Sequence, residues 1–451
     1  MSELLERARR ILDSAQGSEQ LEVYLSTGVE TNVQIYQGSI EKLSSATSSG
    51  VGVRVLRDGP LGARVGTAWA GSLEESAIVE ALNDARDNAR FATHDEFVAF
   101  AQPDGVVAAS LHLSDETVAS TPLDEKIAMA MQLERSVRAL DARIRQVAAA
   151  NYSDYVTQAA VVSTTGIEAT YDRSGAYLSV DAIASDGRSD QSGRGLCVRR
   201  SPRELNIDEA ANDAVMRATR MLGAVKPPSM KTTAVFDPRS AATLLAIIGG
   251  ALSGEAVVRG RSFFANRIGE NVAAALFTLL DDPTDSRHFS ASAYDGEGLA
   301  CRRNVLIAAG RLEGFVYDTV SARRAGTTST GSAMRGGVAG SPSAGCRALQ
   351  LLAGAVNQEE IFALVDDGIY VESVTGVHSG VNPISGDFSV GITGLMIRDG
   401  HLAEPVREVT VASTLQRMLL DVCYVGNDVQ WLPGTAASPS LAISGIALSG
   451  S

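Results

Sequence analysis

Histidine and cysteine side chains are the residues of this chain best suited to metal or nucleophilic chemistry. The five histidines are His94, His112, His288, His378 and His401. A catalytic zinc needs three or four protein ligands of the His, Cys or carboxylate type. No two histidines stand at the spacing that brings two ligands onto one helix face, and none lies between His112 and His288. The sequence therefore predicts no metal site in this chain, unless ligands far apart in sequence converge in the fold.

The nucleophile motifs that sequence can reveal are also missing. There is no G-x-S-x-G elbow. His378 and Ser379 are adjacent, but neighbouring side chains of a strand point to opposite faces. The four cysteines are far apart and form no CxxC pair, and Cys423 stands among aliphatic residues, which predicts a buried, unreactive thiol. We therefore assign no catalytic residue to this chain.

The net charge excludes a general phosphate-binding surface. The 451 residues carry a formal charge of −14, whereas nucleic-acid binding depends on Lys and Arg that neutralise phosphates. The Gly- and Thr-rich run 326–331 lacks the G-K-[ST] of a phosphate loop. The N-terminal residues have no apolar signal-peptide core, and no run of about 18 apolar residues predicts a membrane helix. We expect a cytoplasmic protein that binds neither nucleic acid nor membrane.

The first half of the chain switches between helical and strand periodicity. Apolar spacing predicts four helices, at residues 2–16, 72–91, 121–142 and 202–222, the second opened by a capping box at 72–75. Alternating residues predict strands from residue 22 onward, a hairpin of 49–59 with 63–69, and strands within 145–186 with turns at 164–166 and 174–175. Residues 93–119 have no period and predict a surface loop. The Pro-Pro break after the fourth helix predicts a boundary between domains 1–225 and 226–451.

The second half is organised around one helix, within residues 236–270. Asp237 is a suitable N-cap, and the nearly uncharged residues after it predict a helix that is apolar on almost every side and hence buried. The glycine pair at 249–250 is predicted to interrupt it, with another backbone close by. The polar, arginine-bearing turn 259–262 that follows is a candidate site. The plainer interpretation is a core helix that ends at a loop.

Alternating residues and glycine turns predict short strands in the rest of the second half. The strands are expected within residues 295–318, 368–402 and 438–450, and two helices at 358–365 and 414–422. Residues 325–345 are either a low-complexity linker or a long ordered loop beside a groove. The predicted fold class is α+β. It combines an N-terminal α/β domain of twisted antiparallel strands and helices with a C-terminal β-rich domain around a buried central helix.

Four runs of the second half carry a resemblance to a known family. They are DGEGLACRRNVLIAAGRLEGFVYD (295–318), SARRAGTTSTGSA (321–333), GVNPISGDFSVGITGLMIRDGHLAEPVREVT (380–410) and VGNDV (425–429). In order and spacing they resemble the TldD/PmbA family, and SGDFSVG resembles its PmbA or TldE branch. The first half matches in outline only. The resemblance implies an N-terminal α/β domain, a β-rich C-terminal domain, and dimers in which a PmbA-type chain joins a TldD-type chain.

The resemblance also bears on the metal. TldD-type members resemble zinc peptidases and carry HExxxH on the central helix. When VRGRSFF is aligned without gaps, the two histidines fall on Leu245 and Gly250, and the glutamate falls on Ala246. Residues 429–439, where TldD-type members supply a thiolate ligand, contain no cysteine. The resemblance therefore implies no metal or other cofactor in this chain and zinc in a partner subunit.

The function implied by the resemblance is that of a metal-lacking subunit of a TldD/TldE-type metallopeptidase complex. Such a subunit helps its TldD-like, zinc-bearing partner to bind and process peptide (amide-bond) substrates. We predict that the substrate contacts His378, Asn382, Ser385, Asp387 and Arg259. The Gly-rich strands of 380–394 would let an extended peptide approach a strand edge closely. Two alternatives stay open: a related complex that acts on a small-molecule biosynthetic intermediate, and a non-enzymatic binding homodimer.

Overall fold

Long antiparallel strands form the first half of the chain. A computed structural model describes residues 3–450. The first six strands are β1 (Gln20–Tyr36), β2 (Ser39–Arg57), β3 (Arg64–Ala70), β4 (Ile144–Ser163), β5 (Glu168–Ser185) and β6 (Asp190–Arg199). They make one sheet in the order β3-β2-β1-β4-β5-β6, in which every neighbour is antiparallel. The strand β6 is therefore one edge of this sheet.

Helices cover one face of that sheet. They are α1 (Glu3–Leu12), α2 (Glu75–Phe91), α3 (Thr117–Ser120), α4 (Leu123–Leu140) and α5 (Ile207–Arg220). The helices α1 and α2 pack on Leu21, Val23 and Leu25 of β1, and α4 and α5 pack over its far end. Successive strand residues point to opposite faces. Glu22 and Tyr24 therefore face the other way, toward the second half of the chain.

Two local predictions for the first half are wrong. Ser72 does not cap α2: the N-cap is Glu74, and the Ser72 hydroxyl accepts a hydrogen bond from the Glu74 N–H instead (3.0 Å). Ser174 and Gly175 form no turn but lie inside the continuous strand β5. The buried Ser174 hydroxyl accepts a hydrogen bond from the Asp115 N–H (2.8 Å), so this serine anchors the preceding loop. The predicted 49–59/63–69 hairpin is confirmed as β2 and β3.

The second half is built on a sheet that closes on itself. Its strands are β7 (Met230–Phe236), β8 (Leu279–Asp281), β9 (Asn304–Ala308), β10 (Arg311–Leu312), β11 (Ala333–Met334), β12 (Ser343–Ala344), β13 (Leu349–Leu351), β14 (Gly368–Thr375), β15 (Asp387–Arg398), β16 (His401–Thr414), β17 (Val422–Val425), β18 (Ala436–Ala437) and β19 (Leu441–Ser449). The main sheet has the order β16-β15-β14-β7-β19-β17, and β16 also pairs with β19. The last strand, β19, thus lies beside β7 in the middle of the sheet.

The helices of the second half pack against and beside this sheet. They are α6 (Pro238–Ala251), α7 (Gly254–Val258), α8 (Thr319–Ala325), α9 (Gln358–Val365), α10 (Val377–Gly380) and α11 (Leu415–Leu420). The largest core joins Leu245 and Ile248 of α6 to Phe236, Val371 and Ile443 of the sheet. The predicted α+β fold class is confirmed. Whether the halves behave as domains 1–225 and 226–451 stays a prediction.

The Gly- and Ser-rich segment 325–345 is an ordered loop. It contains the short pair β11–β12, and its Val338 packs on β2 of the first half. A Cβ on Gly52 would lie 2.2 Å from the Val338 carbonyl oxygen, so only glycine allows this approach. The linker interpretation is therefore wrong. Among residues 3–450, no helix combines the length and apolar character needed to span a bilayer.

Candidate functional site

The helix α6 begins with the predicted cap. The Asp237 carboxylate accepts a hydrogen bond from the Arg239 N–H (2.8 Å), and Pro238 occupies the first turn, where its missing N–H costs nothing. One face of the helix, including Leu244, Leu245 and Ile248, is buried in the core. Leu245, which aligns with a metal ligand of TldD-type members, is fully buried among aliphatic side chains.

The opposite face of α6 is open, which corrects the expectation of a helix buried on almost every side. Ala246 and Gly250 are exposed, and Ala242, Thr243 and Ile247 are half-buried. These five residues form what we call the open face of α6. Four of the five are apolar or lack a side chain, so hydrophobicity alone could not distinguish the open face from the core face.

The glycine pair does not interrupt α6, which continues to Ala251. A Cβ on Gly249 would lie 2.5 Å from Cδ1 of Leu349, so the close neighbour is a side chain rather than the predicted backbone. A Cβ on Gly250 would meet no atom within 4 Å. Gly249 is therefore needed for packing, whereas Gly250 belongs to the open face.

A network of charged side chains surrounds the start of α6 and joins the two halves of the chain. Its members, called here the α6 network, are Asp213, Arg217, Arg220, Asp237, Arg239, Tyr370 and Glu372. Arg217 of α5 donates to Glu372 (3.0 Å) and Asp237 (3.2 Å). Arg220 donates through Nε to Glu372 (2.9 Å). No sequence motif predicted this network, although Glu372 is the only charged residue of β14.

Burial makes the charges of the α6 network strongly interdependent. Burial alone would lower the pKa of Arg217, but the carboxylates of Asp237, Asp213 and Glu372 raise it overall. Tyr370 donates its hydroxyl hydrogen to Asp237 (2.7 Å). Burial, together with the Asp237 carboxylate, raises the pKa of that phenol, so it stays a neutral donor.

A cleft of about 420 Å³ opens beside the α6 network, between the two halves. One side is formed by Gln191–Arg194 of the edge strand β6. The other side combines the first turns of α6 with the end of β14 and the middle of β15. The lining residues from these elements include Arg239, Ser240, Thr243, Glu372, Ser373, Thr375 and Thr393. Through Thr243 the cleft meets the open face of α6, so the two make one continuous surface.

Four of the five predicted substrate residues come together in one exposed loop. His378 lies on α10, Asn382 and Ser385 occupy the turn between α10 and β15, and Asp387 is the first residue of β15. The Asn382 side chain accepts hydrogen bonds from the backbone N–H groups of Ile384 (2.9 Å) and Ser385 (3.2 Å). The Ser385 hydroxyl donates to Asp387 (2.6 Å). These contacts explain the turn, and a role in substrate binding stays a prediction.

Arg259, the fifth predicted residue, is not part of that loop. It caps the C-terminal end of α7 and forms an exposed ion pair with Glu255 (2.8 Å). Such a pair four residues apart on one helix contributes only a few tenths of a kcal/mol. The arrangement fits the plainer interpretation of the segment after α6, and a substrate contact at Arg259 also stays a prediction.

A second set of buried charges lies where the halves meet through β1. Glu22 is paired with Arg54 (3.1 Å) and also with Arg335, which comes from the loop 325–345. Glu297, only 1% exposed, accepts hydrogen bonds from the Thr319 N–H (3.0 Å) and hydroxyl (2.7 Å). Burial raises the pKa of Glu297, and the nearby Asp295 and Asp318 carboxylates raise it further.

We expect Glu297→Gln to make the protein relatively more stable as the pH rises. A raised pKa in the folded state means that the folded chain holds this proton more tightly than the unfolded chain. The Glu297 proton contributes its full stabilisation below pH 4.5, the ordinary pKa of a glutamate. This stabilisation is lost as the pH rises through the raised pKa that Glu297 has in the folded chain. Thermal unfolding between about pH 5 and pH 8 should show a growing Tm advantage of the variant. Glu80→Gln, at an exposed site on α2, is the control, and equal pH profiles would contradict the prediction.

The residues at the aligned metal positions do not fit a zinc ion. Leu245, Ala246 and Gly250 offer no side-chain donor atom. Within residues 3–450, no three His, Cys, Asp or Glu side chains are grouped closely enough to hold a metal. Cys423 is half-buried, its thiol hydrogen is directed at the Ala442 carbonyl (3.5 Å), and burial raises its pKa. That thiol therefore stays protonated, as predicted for an unreactive cysteine.

Similarity to known proteins extends over nearly the whole chain. Residues 229–450 match the PmbA/TldA metallopeptidase C-terminal domain, 116–222 its central domain and 21–89 its domain 1. The chain is 25% identical to "Metalloprotease PmbA" of Escherichia coli O157:H7, over 98% of this chain and 96% of that protein. It is 24% identical to "Metalloprotease TldD homolog" of Haemophilus influenzae, over 95% and 92%.

Solved structures share the fold. The crystal structure of TldE from Thermococcus kodakarensis is similar with a TM-score of 0.88 at 22% identity, covering 99% of both chains. A putative modulator of DNA gyrase from Bacteroides thetaiotaomicron gives a TM-score of 0.87 at 26% identity, covering 100% of both. With three matched domains that together span most of its length, the chain belongs to the PmbA/TldD metallopeptidase family.

Proposed function

We propose that this chain is the metal-lacking subunit of a heteromeric peptidase complex, in which a TldD-type partner carries the zinc. The proposal rests on the contrast between the two faces of α6, one buried in the core and the other open. Leu245 is buried in the core, and the open face around Ala246 and Gly250 presents no His, Cys or carboxylate side chain. This chain would hold no metal of its own. Its cytoplasmic location, predicted from the sequence, belongs to the same proposal.

The role of this chain in the complex would be to hold an extended peptide or amide substrate. The cleft supports this role because β6 is an edge strand with Gln191–Arg194 along the opening. An edge strand can bind an extended peptide through main-chain hydrogen bonds. The open face of α6 continues the same surface and is free to contact the partner subunit or the peptide. A peptide is longer than a small metabolite that contains a single amide bond. The size of the accepted substrate therefore distinguishes the peptide proposal from its small-molecule alternative.

The proposal predicts that hydrolysis needs both subunits. We expect no peptide hydrolysis by the purified chain and restored hydrolysis when it is mixed with a TldD-type subunit that contains HExxxH. A labelled unfolded polypeptide, with and without chelator, provides the assay. Robust, chelator-insensitive hydrolysis by the chain alone would contradict the proposal, as would a complex no more active than the partner alone. Recovery of only this chain's own copies from native extract would favour the homodimer.

A substitution on the open face sharpens this test. Ala246→Trp adds a large side chain at an exposed position, so the isolated chain should fold normally. In the complex, the tryptophan would overfill the contact made by the open face of α6, at a cost of about 1–3 kcal/mol. We therefore expect the mixed subunits to hydrolyse peptide about tenfold less well with this variant than with the unmodified chain. Val79→Trp, at an exposed position of α2, is the matched control and should leave the activity of the complex unchanged.

A further inference from the structure

We propose that the cleft beside α6 binds a carboxylate group of the substrate, through Arg194 of β6 and Arg239 of α6. This inference rests on the proposed function, since it assigns a chemical class to the end of the peptide surface. We call this part of the molecule the arginine cleft, and it consists of Arg194, Arg217 and Arg239 together with the hydroxyl residues that line the same opening.

The charge balance of the arginine cleft differs from that of the protein. Its lining contains three arginines and one glutamate, in a chain whose net charge is −14. Within the α6 network, three carboxylates, those of Asp213, Asp237 and Glu372, are matched by three guanidinium groups. Arg194 stands outside that balance. Arg194 therefore adds a positive charge to the cleft that only the weakly paired Asp181, 3.8 Å away, offsets, and an incoming anion could neutralise it more closely.

Two of the arginines have N–H donors that lack strong hydrogen-bond or ion-pair partners within the chain. The Arg194 side chain is 68% exposed, and its nearest carboxylate, Asp181, is 3.8 Å away, which makes a weak exposed pair. Arg239 binds Asp213 through Nη2 (2.7 Å), but its Nε is buried without a hydrogen-bond partner. The Arg239 Nη1 makes only a long contact with the Arg194 carbonyl oxygen (3.5 Å), so an incoming ligand oxygen could accept from it more closely.

A carboxylate is the anion that suits these surroundings. The planar fork of an arginine matches the two oxygens of a carboxylate, and such charge-assisted hydrogen bonds are roughly twice as strong as neutral ones. The hydroxyl groups of Ser192 and Thr375 line the same opening and can donate to these oxygens, whereas the Ser240 and Thr243 hydroxyls already donate to backbone carbonyl groups. A peptide that pairs with the β6 edge would bring its terminal carboxylate, or an acidic side chain, to Arg194.

The test compares short peptides that differ only in this group. A fluorescein-labelled hexapeptide of Ala, Val and Thr is made with a free C-terminal carboxylate, as the C-terminal amide, and as the amide with one internal Asp. Fluorescence anisotropy with the full chain should show the free acid binding about tenfold more tightly than the amide. Arg194→Gln should abolish that difference, and Arg194→Lys should restore part of it. Arg135→Gln, on the exposed side of α4, is the control of equal charge change.

Each possible result of the peptide-binding test has a different meaning for the arginine cleft or for the proposed function. Tight binding of the Asp-containing amide would identify an acidic side chain, rather than the C-terminus, as the source of the carboxylate. Equal binding of acid and amide, or an acid preference that survives both Arg194→Gln and Arg239→Gln, would overturn this inference and leave the proposed peptide binding intact. Binding of none of the peptides, alone or with the TldD-type partner present, would contradict the proposed function as well.

Discussion

Replacing Glu372 by alanine is expected to destabilise the protein by about 3–5 kcal/mol, because the change leaves buried charge unpaired. The Glu372 side chain is 5% exposed and accepts hydrogen bonds from Arg217 (3.0 Å) and Arg220 (2.9 Å), whose side chains are 11% and 19% exposed. Without the Glu372 carboxylate, Arg220 loses its ion-pair partner in a poorly solvated place, and Arg217 keeps only Asp213 and Asp237. Urea unfolding of the isolated chain, compared by midpoint and slope, measures the loss.

A surface glutamate provides the control for this prediction. Glu404 pairs with Arg398 at 3.2 Å, but both side chains are 40% exposed. Exposed pairs are typically worth 1 kcal/mol or less, so Glu404→Ala should be nearly neutral, at about 0–1 kcal/mol. If Glu372→Ala cost no more than this control, the α6 network would not be a main connection between the two halves.

Gly195→Ala is expected to be the most damaging single-methyl change in the first half. A Cβ at this position of β6 would lie 1.8 Å from the Ala210 carbonyl oxygen, so α5 would have to move away from the sheet. Forced overpacking of this kind costs about 1–3 kcal/mol and occasionally more. Thermal and urea unfolding should both detect it.

Gly250→Ala is the matched comparison, because the same methyl group is added where no atom lies within 4 Å. Alanine is preferred over glycine within helices by about 1 kcal/mol, so this variant should be neutral or slightly stabilised. Similar losses for the two variants would mean that the close packing of β6 on α5 is not what makes Gly195 necessary.

Local patterns predicted much of the fold. The helix expected at residues 358–365 is α9, because Asn357 and Glu360 form a capping box and apolar residues follow at helical spacing. The tail expected as a strand is β19. The prediction failed at Gly175, because a Ser-Gly pair favours a turn locally, whereas its pairing with Tyr155 across two long strands decides otherwise.

The candidate site was harder to predict, because it is assembled from distant parts of the chain. Arg217 and Glu372 are 155 residues apart, and no local pattern connects them. A single charged residue in the apolar strand around Glu372 was the available signal. Alanine and glycine on α6 gave no indication of which face is open, since small residues occur in cores and on surfaces alike.

The position of β19 also determines when the second half can fold during synthesis. Its neighbour β7 ends at Phe236, but β19 begins only at Leu441, so one edge of β7 stays unpaired until the residues from 441 onward have been translated. The sheet of the first half, by contrast, is complete at Arg199. An unpaired strand edge invites pairing with other chains. A nascent chain stalled or terminated before residue 441 would therefore carry a finished first sheet and an aggregation-prone second half.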